Sequence, residues 1–208
     1  MQVVVVAGGG PLSLPAIEAA SDGSFIIAAD SGLDFAVAVG LAPDILVGDL
    51  DSITAAGRMW AYEHEAAIEE HAPDKDLTDT ELALARALLV PEVTGVVLLS
   101  GSATPEERLD HLFGIVLALG HQSLAALSSV RAVIGTTDFR VLHPGRTATI
   151  VLEPGQQFSL LALHGRCTGV TVSGARWPLV NATLTATEAR GLSNEAIAAA
   201  DTKTEVSV

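Results

Sequence analysis

The stretch Asp44-Ile45-Leu46-Val47-Gly48-Asp49-Leu50-Asp51-Ser52-Ile53 decides how this chain is read. Three branched aliphatic residues run into a glycine and then into two carboxylates spaced i, i+2. A short apolar run of this kind predicts a buried strand. In extended backbone the i, i+2 spacing puts both carboxylates on one side, ~6–7 Å apart. Like charges held that close need a proton or a cation between them. A hard divalent ion meets that need, and Mg²⁺ typically takes one or two carboxylates together with substrate phosphates. An isolated D-x-D also occurs in ordinary solvated turns, so the surroundings have to decide.

On the N-terminal side, Gln2-Val3-Val4-Val5-Val6-Ala7 predicts a strand stopped by Gly8-Gly9-Gly10-Pro11, a loop where backbone can approach a ligand closely. Leu14 to Ala20 reads as a short helix. A second strand, Ser24 to Ala29, ends at Asp30, and Ser31-Gly32-Leu33-Asp34 has the form of a capping box opening a helix from Gly32 to Val39. Asp34 therefore has a structural task, whereas Asp30 at the strand's end is less easily explained by local structure.

On the C-terminal side a helix is expected within Ala55 to Glu65, followed by a weaker strand, Ala66 to His71. The latter leads into Pro73-Asp74-Lys75-Asp76-Leu77-Thr78-Asp79, and Thr78-Asp79-Thr80-Glu81 is a second capping box, opening a helix from Asp79 to Leu89. Gly95 to Leu99 is a further strand. Thr104-Pro105-Glu106-Glu107 then reads as a strong helix start, with Arg108, Asp110 and His111 in the early turns and Gly120 at the end.

Strands alternating with helices imply an α/β fold, a mostly parallel sheet with helices on both faces. Ligands of such sheets bind beyond the carboxyl ends of the strands. Asp30, Asp49, Asp51, Asp74, Asp76 and Asp79 all fall just after strand candidates, a coincidence that favours a metal–phosphate site over a solvated surface. Neither G-x-G-x-x-G nor G-K-[ST] is present, so a dinucleotide fingerprint and a Walker loop are both excluded.

After about Thr136 the rhythm changes. Phe139 to Leu142, Ala148 to Leu152, Phe158 to Leu163 and Val170 to Val172 are short runs separated by Pro144-Gly145, Pro154-Gly155 and Gly165. Short strands at close intervals predict a small all-β sandwich, giving expected domains of residues 1–136 and 137–208. Across the 208 residues, 49% are hydrophobic, enough for a real core, and no apolar run approaches a membrane span. The start lacks a basic n-region, so no signal peptide and a cytoplasmic protein are expected. Cys167, the single cysteine, excludes an internal disulfide and reads as a small buried hydrophobe. Net charge is −14, from 25 acidic and 11 basic residues, which argues against nucleic-acid binding. Phosphates handled by so acidic a chain would need metal ions for countercharge.

Taken together, these motifs resemble thiamine pyrophosphokinase. The resemblance rests on Ala29-Asp30-Ser31-Gly32, Pro43 to Ile53, Asp74 to Asp79, Arg108-Leu109-Asp110-His111, Ser173 to Leu179 and Arg190 to Glu195, in order along nearly the whole chain. It implies a Rossmann-like nucleotide-binding domain followed by a β-sandwich for thiamine binding and dimerisation, acting as a homodimer. The implied reaction transfers the pyrophosphoryl group of ATP to the hydroxyethyl group of thiamine, releasing AMP. Carried over, Asp49, Asp51 and Asp79 hold Mg²⁺, and Asp30 and Asp110 are further active-site carboxylates. Arg108, Lys75, Asp76, Thr78 and His111 serve the nucleotide, while Trp177, Ser193 and Asn194 form the thiamine pocket.

The chain departs from the family pattern at Glu106 and Glu107, where a Gly-Gly pair is usual before the Arg-x-Asp motif. Two carboxylates at a helix N-terminus stand where a phosphate would dock. Ser31 and Asp34 likewise replace the more usual Gly and Asn. Two other readings therefore stay open at this point: the same fold acting on another primary alcohol such as a pterin, or a catalytically silent nucleotide- or thiamine-binding homologue.

Overall fold

A computed structural model describes residues 1–20, 23–101, 109–197 and 204–207. The chain divides into two compact units, Met1–Val141 and Leu142–Val208.

In the first unit, β1 (Gln2–Val6), β2 (Phe25–Ala29), β3 (Ile45–Gly48), β4 (Ala67–Glu70), β5 (Gly95–Ser100), β6 (Ser129–Ile134) and β7 (Thr137–Val141) form one seven-stranded sheet in the order β4-β3-β2-β1-β5-β6-β7. All neighbours are parallel except β6 and β7. The helices are α1 (Leu14–Ala19), α2 (Gly32–Ala38), α3 (Ala55–Glu63), α4 (Asp79–Ala87) and α5 (Leu109–Ala118). Alternation along β1 explains the layering. Val3, Val5 and Ala7 enter a core with Ala83, Leu84 and Ala87 of α4 and Ile115 and Ala118 of α5. Val4 and Val6 enter a second core with Ala16 and Ala19 of α1 and Ala36 of α2. The sheet is thus buried on both faces, as its near-continuous apolar strands require.

Two details depart from the sequence reading. The strand β6 was not separable by pattern, since Ser129–Ile134 carries Arg131 within an apolar run. The run assigned to the start of the β domain is β7, which folds back on β6 through Gly135 at φ 57° and seats Phe139 and Val141 against the first core. A short alternating run does not reveal which sheet it joins, and the units accordingly divide after Val141 rather than at residue 136.

The second unit contains β8 (Thr149–Leu152), β9 (Gln157–Phe158), β10 (Cys167–Val172), β11 (Leu179–Leu184), β12 (Asn194–Glu195) and β13 (Thr204–Ser207). They pair antiparallel as β10-β11, β12-β9 and β13-β8. Leu152, Ala162, Val172, Ala175, Leu179, Ala182, Leu184 and Ala196 form its own core. Cys167 lies outside that core: it is exposed on β10, contrary to the buried reading. Among the described residues no helix is long and apolar enough to cross a membrane.

Candidate active site

Crossing from β4 to β5 reverses the direction in which strands are added, and β2, β3 and β4 lie side by side on one flank of β1. Their carboxyl ends therefore deliver Asp30, Asp49 and Lys75 to one region, and α4 adds Asp79 as its first residue. The capping box expected for α4 is present: the Glu81 N–H donates to Thr78 Oγ1 at 3.2 Å and the Thr78 N–H to Glu81 Oε2 at 2.9 Å. That cap fixes Asp79 at the helix start, where an acid is favoured by the helix dipole, and it commits the Thr78 hydroxyl to the fold.

Asp30, Asp49 and Asp79 each present a carboxylate oxygen, and the three lie within 4.8 Å of one another. Asp30 is buried and takes a left-handed φ of 46° directly after β2. Its N–H is held by Val47 O at 2.9 Å, and the Ser52 hydroxyl donates to its Oδ2. Oδ1 is buried, with no hydrogen-bond partner among the described residues. Burial holds the Asp30 carboxyl above the usual carboxylate range; the Ser52 hydrogen bond opposes this in part, and the charges of Asp79, Asp49 and Asp51 reinforce it. Lys75 Nζ lies 3.2 Å from Asp49 Oδ2 and 2.9 Å from Asp79 Oδ1. Burial pushes Asp49 up, but Lys75 and the Asp51 N–H outweigh it and leave its pKa lowered. For Lys75 burial works against the charge, and the two carboxylates more than compensate, raising its pKa.

Asp51 does not join the three-carboxylate group. The extended-chain premise fails at this point: β3 ends at Gly48, whose φ is 151°, and Leu50 turns back at φ 62° to bury its side chain. Leu50 O accepts from Arg58 Nη2 at 2.8 Å, which pins the turn. Asp51 is left exposed, giving its N–H to Asp49 Oδ1 at 3.3 Å. Asp74 and Asp76 are also exposed on the loop that carries Lys75, and Asp110 and His111 are exposed on the first turn of α5. Arg108, Glu106 and Glu107 lie outside the described residues.

The capping box expected at Ser31-Gly32-Leu33-Asp34 does not form. Ser31 makes no side-chain cap to α2. Asp34 instead accepts from the Thr54 N–H at 2.8 Å and from the Thr54 hydroxyl, tying α2 to the start of α3. Sequence reasoning also left two contributors without a role. Ser52 follows the D-x-D directly and supplies the hydroxyl on Asp30. Gly48 provides space, since a β-carbon there would stand 3.1 Å from both Asp30 Cβ and Asp79 Oδ1.

In the second unit the Asn194 side chain is occupied by backbone. Its Oδ1 accepts from the N–H groups of Trp177 at 3.1 Å and Glu195 at 2.9 Å, and its Nδ2 donates to Trp177 O at 2.8 Å. Trp177 is held by its backbone and has a half-exposed ring, with the Arg176 guanidinium 4.9 Å from the ring centroid. Ser193 is exposed at φ 56°, its N–H bonded to Ser159 Oγ at 3.1 Å.

Fold and site together define a doubly wound α/β protein with a cluster of three carboxylates at its strand ends and a small antiparallel β unit after it. The chain belongs to the thiamin pyrophosphokinase family: residues 18–127 match its catalytic domain and residues 147–208 its vitamin B1 binding domain. It is similar to the thiamine pyrophosphokinase of Bacillus subtilis, 26% identical over 200 residues that span 95% of this chain and 91% of the relative. The fold is shared with the crystal structure of thiamine pyrophosphokinase from Bacillus subtilis, with a TM-score of 0.73 at 21% identity over 100% of this chain and 92% of that one. It is shared too with yeast thiamin pyrophosphokinase, with a TM-score of 0.66 at 12% identity over 99% and 82% of the respective chains. Family membership makes the chain an enzyme of thiamine diphosphate synthesis.

Proposed function

We propose that the protein transfers the pyrophosphoryl group of ATP to the hydroxyethyl oxygen of thiamine, giving thiamine diphosphate and AMP, with Mg²⁺ at the carboxylate centre. The observation that carries this reading is the convergence of Asp30, Asp49 and Asp79, with one buried Asp30 oxygen that has no hydrogen-bond partner among the described residues. The donors fit a hard divalent ion, being carboxylate oxygens alone. The three carboxylate oxygens lie within 4.8 Å of one another, so a modest inward movement of the side chains would let Asp30, Asp49 and Asp79 share one such ion. When bound, Mg²⁺ supplies neutralisation of phosphate charge and alignment for in-line attack.

The chain's own residues do the rest. Asp30, Asp49 and Asp79 hold the ion, and exposed Asp51 adds negative charge beside them. Lys75, on a flexible stem in the same group, serves the nucleotide phosphates; the family resemblance adds Asp76, Thr78, Arg108 and His111 as nucleotide contacts and Asp110 as a further active-site carboxylate. On the second unit Trp177 offers an aromatic face to the thiamine cation, the kind of contact such rings make with cations. Asn194 positions Trp177 through its backbone, and Ser193 completes the thiamine set. A homodimer in the cytoplasm is the proposed working form.

The test is incubation of the purified chain with thiamine and MgATP, following AMP and thiamine diphosphate together. Stoichiometric formation of both is expected, and both should vanish with a chelator. AMP release with a pterin alcohol but not thiamine, or no product across several divalent metals from folded protein, would overturn the reading.

A further inference from the structure

We infer that Lys75 is an internal counter-cation that contends with a divalent ion for Asp49 and Asp79, and so sets how tightly the carboxylate centre takes metal before nucleotide arrives. The inference rests on the functional reading above and deepens it. Lys75 Nζ stands 3.2 Å from Asp49 Oδ2 and 2.9 Å from Asp79 Oδ1, which pairs it with two of the three carboxylates that converge. Among the described residues Lys75 is the one cation that pairs with this group. Its side chain is only 16% exposed, so solvent screens the pairing weakly.

Two positive charges cannot share the gap. A divalent ion needs both carboxylates at ~2.0–2.1 Å, and an ammonium left ~3 Å from the same oxygens would repel it. The spacing fits the ammonium better than the ion: contacts of 2.9 and 3.2 Å let the two oxygens stand wider than Mg²⁺ ligands do. Metal entry must therefore draw the oxygens together and expel Nζ. The four-carbon stem allows that movement. Among the described residues Asp30 Oδ1 is buried without a hydrogen-bond partner or a contact from Lys75, and an ion at this centre would give it one. Metal affinity is thereby held down until phosphates arrive to receive the ammonium.

The experiment is a Mn²⁺ titration of the full chain without nucleotide, free Mn²⁺ being read by electron paramagnetic resonance. The variants are Lys75→Gln, Lys75→Met, Lys75→Arg and Lys75→Gln combined with Asp79→Asn, with melting curves for each and MgATP–thiamine turnover of the unmodified protein alongside. The two neutral variants should bind Mn²⁺ about tenfold or more tighter, removal of a charge at this distance being a large effect. Lys75→Arg should retain the original affinity, and Asp79→Asn should cancel the gain. Equal or weaker binding in folded Lys75→Gln and Lys75→Met, with turnover of the unmodified protein intact, overturns the inference and leaves the proposed function standing. Mn²⁺ binding that none of the substitutions moves, together with no turnover, overturns both.

Discussion

Gly48 and Asp79 fit each other: a β-carbon at position 48 would stand 3.1 Å from Asp79 Oδ1. The same added carbon would meet Asp30 Cβ at 3.1 Å, so the glycine is the space in which two of the three carboxylates converge. Its φ of 151° adds a conformational demand that a residue with a side chain meets only with strain. Gly48→Ala is therefore expected to destabilise the protein by about 1–2 kcal/mol and to push Asp79 away from the group. Mn²⁺ affinity and turnover should each fall by about tenfold or more. Urea unfolding and the Mn²⁺ titration check this, and an alanine variant with the original metal affinity would refute the spatial argument.

Asp30 carries a stability cost at neutral pH. Burial lifts its folded pKa above the value of the unfolded chain, so the native state binds the proton more tightly. By linkage, stability then falls as pH rises from about 3.9 through the raised folded pKa, and at neutral pH the charge is a standing penalty. Asp30→Asn removes the charge while leaving an oxygen for the Ser52 hydroxyl. Its melting temperature near pH 7 should rise, while thiamine diphosphate formation falls by about a hundredfold or more. Added Mg²⁺ should raise the melting temperature of the unmodified protein and not of the variant. A lower melting temperature in Asp30→Asn would show that the carboxylate is stabilising after all.

The α/β half of the fold was legible because its strands are apolar runs that stop at turn or charged residues. Gln2–Val6 and Phe25–Ala29 are such runs, and the Thr78–Glu81 cap is a local motif that formed as its spacing required. The carboxylate set was legible only in part. Asp49 and Asp79 could be found from their positions after β3 and at the start of α4, but the choice between Asp30 and Asp51 as third member depends on the backbone turn at Leu50. That turn is set by burial of the Leu50 side chain and by Arg58 gripping its carbonyl, which are tertiary facts. Asp34 misled for a similar reason. Its spacing from Ser31 suited a cap, yet Thr54, twenty residues on, offers both an N–H and a hydroxyl. The limits of the second unit were obscured because β7 has the composition of a sandwich strand and the register of a sheet edge.

His143 gives the second unit a pH dependence of its own. Burial lowers its pKa, with the positive charge of His164 and then Arg146 acting in the same direction, and its Nε2 is buried without a hydrogen-bond partner. The folded state thus favours the neutral ring. As pH falls through about 6.5 the unfolded chain takes up the proton first, and stability declines until the folded pKa is passed. Urea unfolding of the full chain between about pH 5 and pH 7.5 should show this decline, and His143→Phe should flatten it. An identical pH slope in the variant would assign the decline to other groups.

Trp177 and Asn194 are neighbours with opposite exposure, one open to solvent and one buried. The Asn194 side chain is buried and spends three hydrogen bonds on the backbone of Trp177 and Glu195. Removing it as Asn194→Ala strands those backbone groups, at a cost of about 2–3 kcal/mol, and releases the segment that carries the indole. Trp177 is 51% exposed, so Trp177→Ala should cost less than about 1 kcal/mol in folding. If the exposed indole meets the thiamine cation, Trp177→Ala should raise KM for thiamine severalfold at unchanged kcat and near-unchanged stability, the signature of lost uniform binding. Asn194→Ala should raise KM and lower the unfolding midpoint together, and Asn194→Asp should recover neither, because a carboxylate cannot donate to Trp177 O. Steady-state kinetics paired with urea unfolding reads both quantities. A Trp177→Ala variant that loses stability and keeps its KM would make the indole a structural residue and move thiamine recognition elsewhere on the chain.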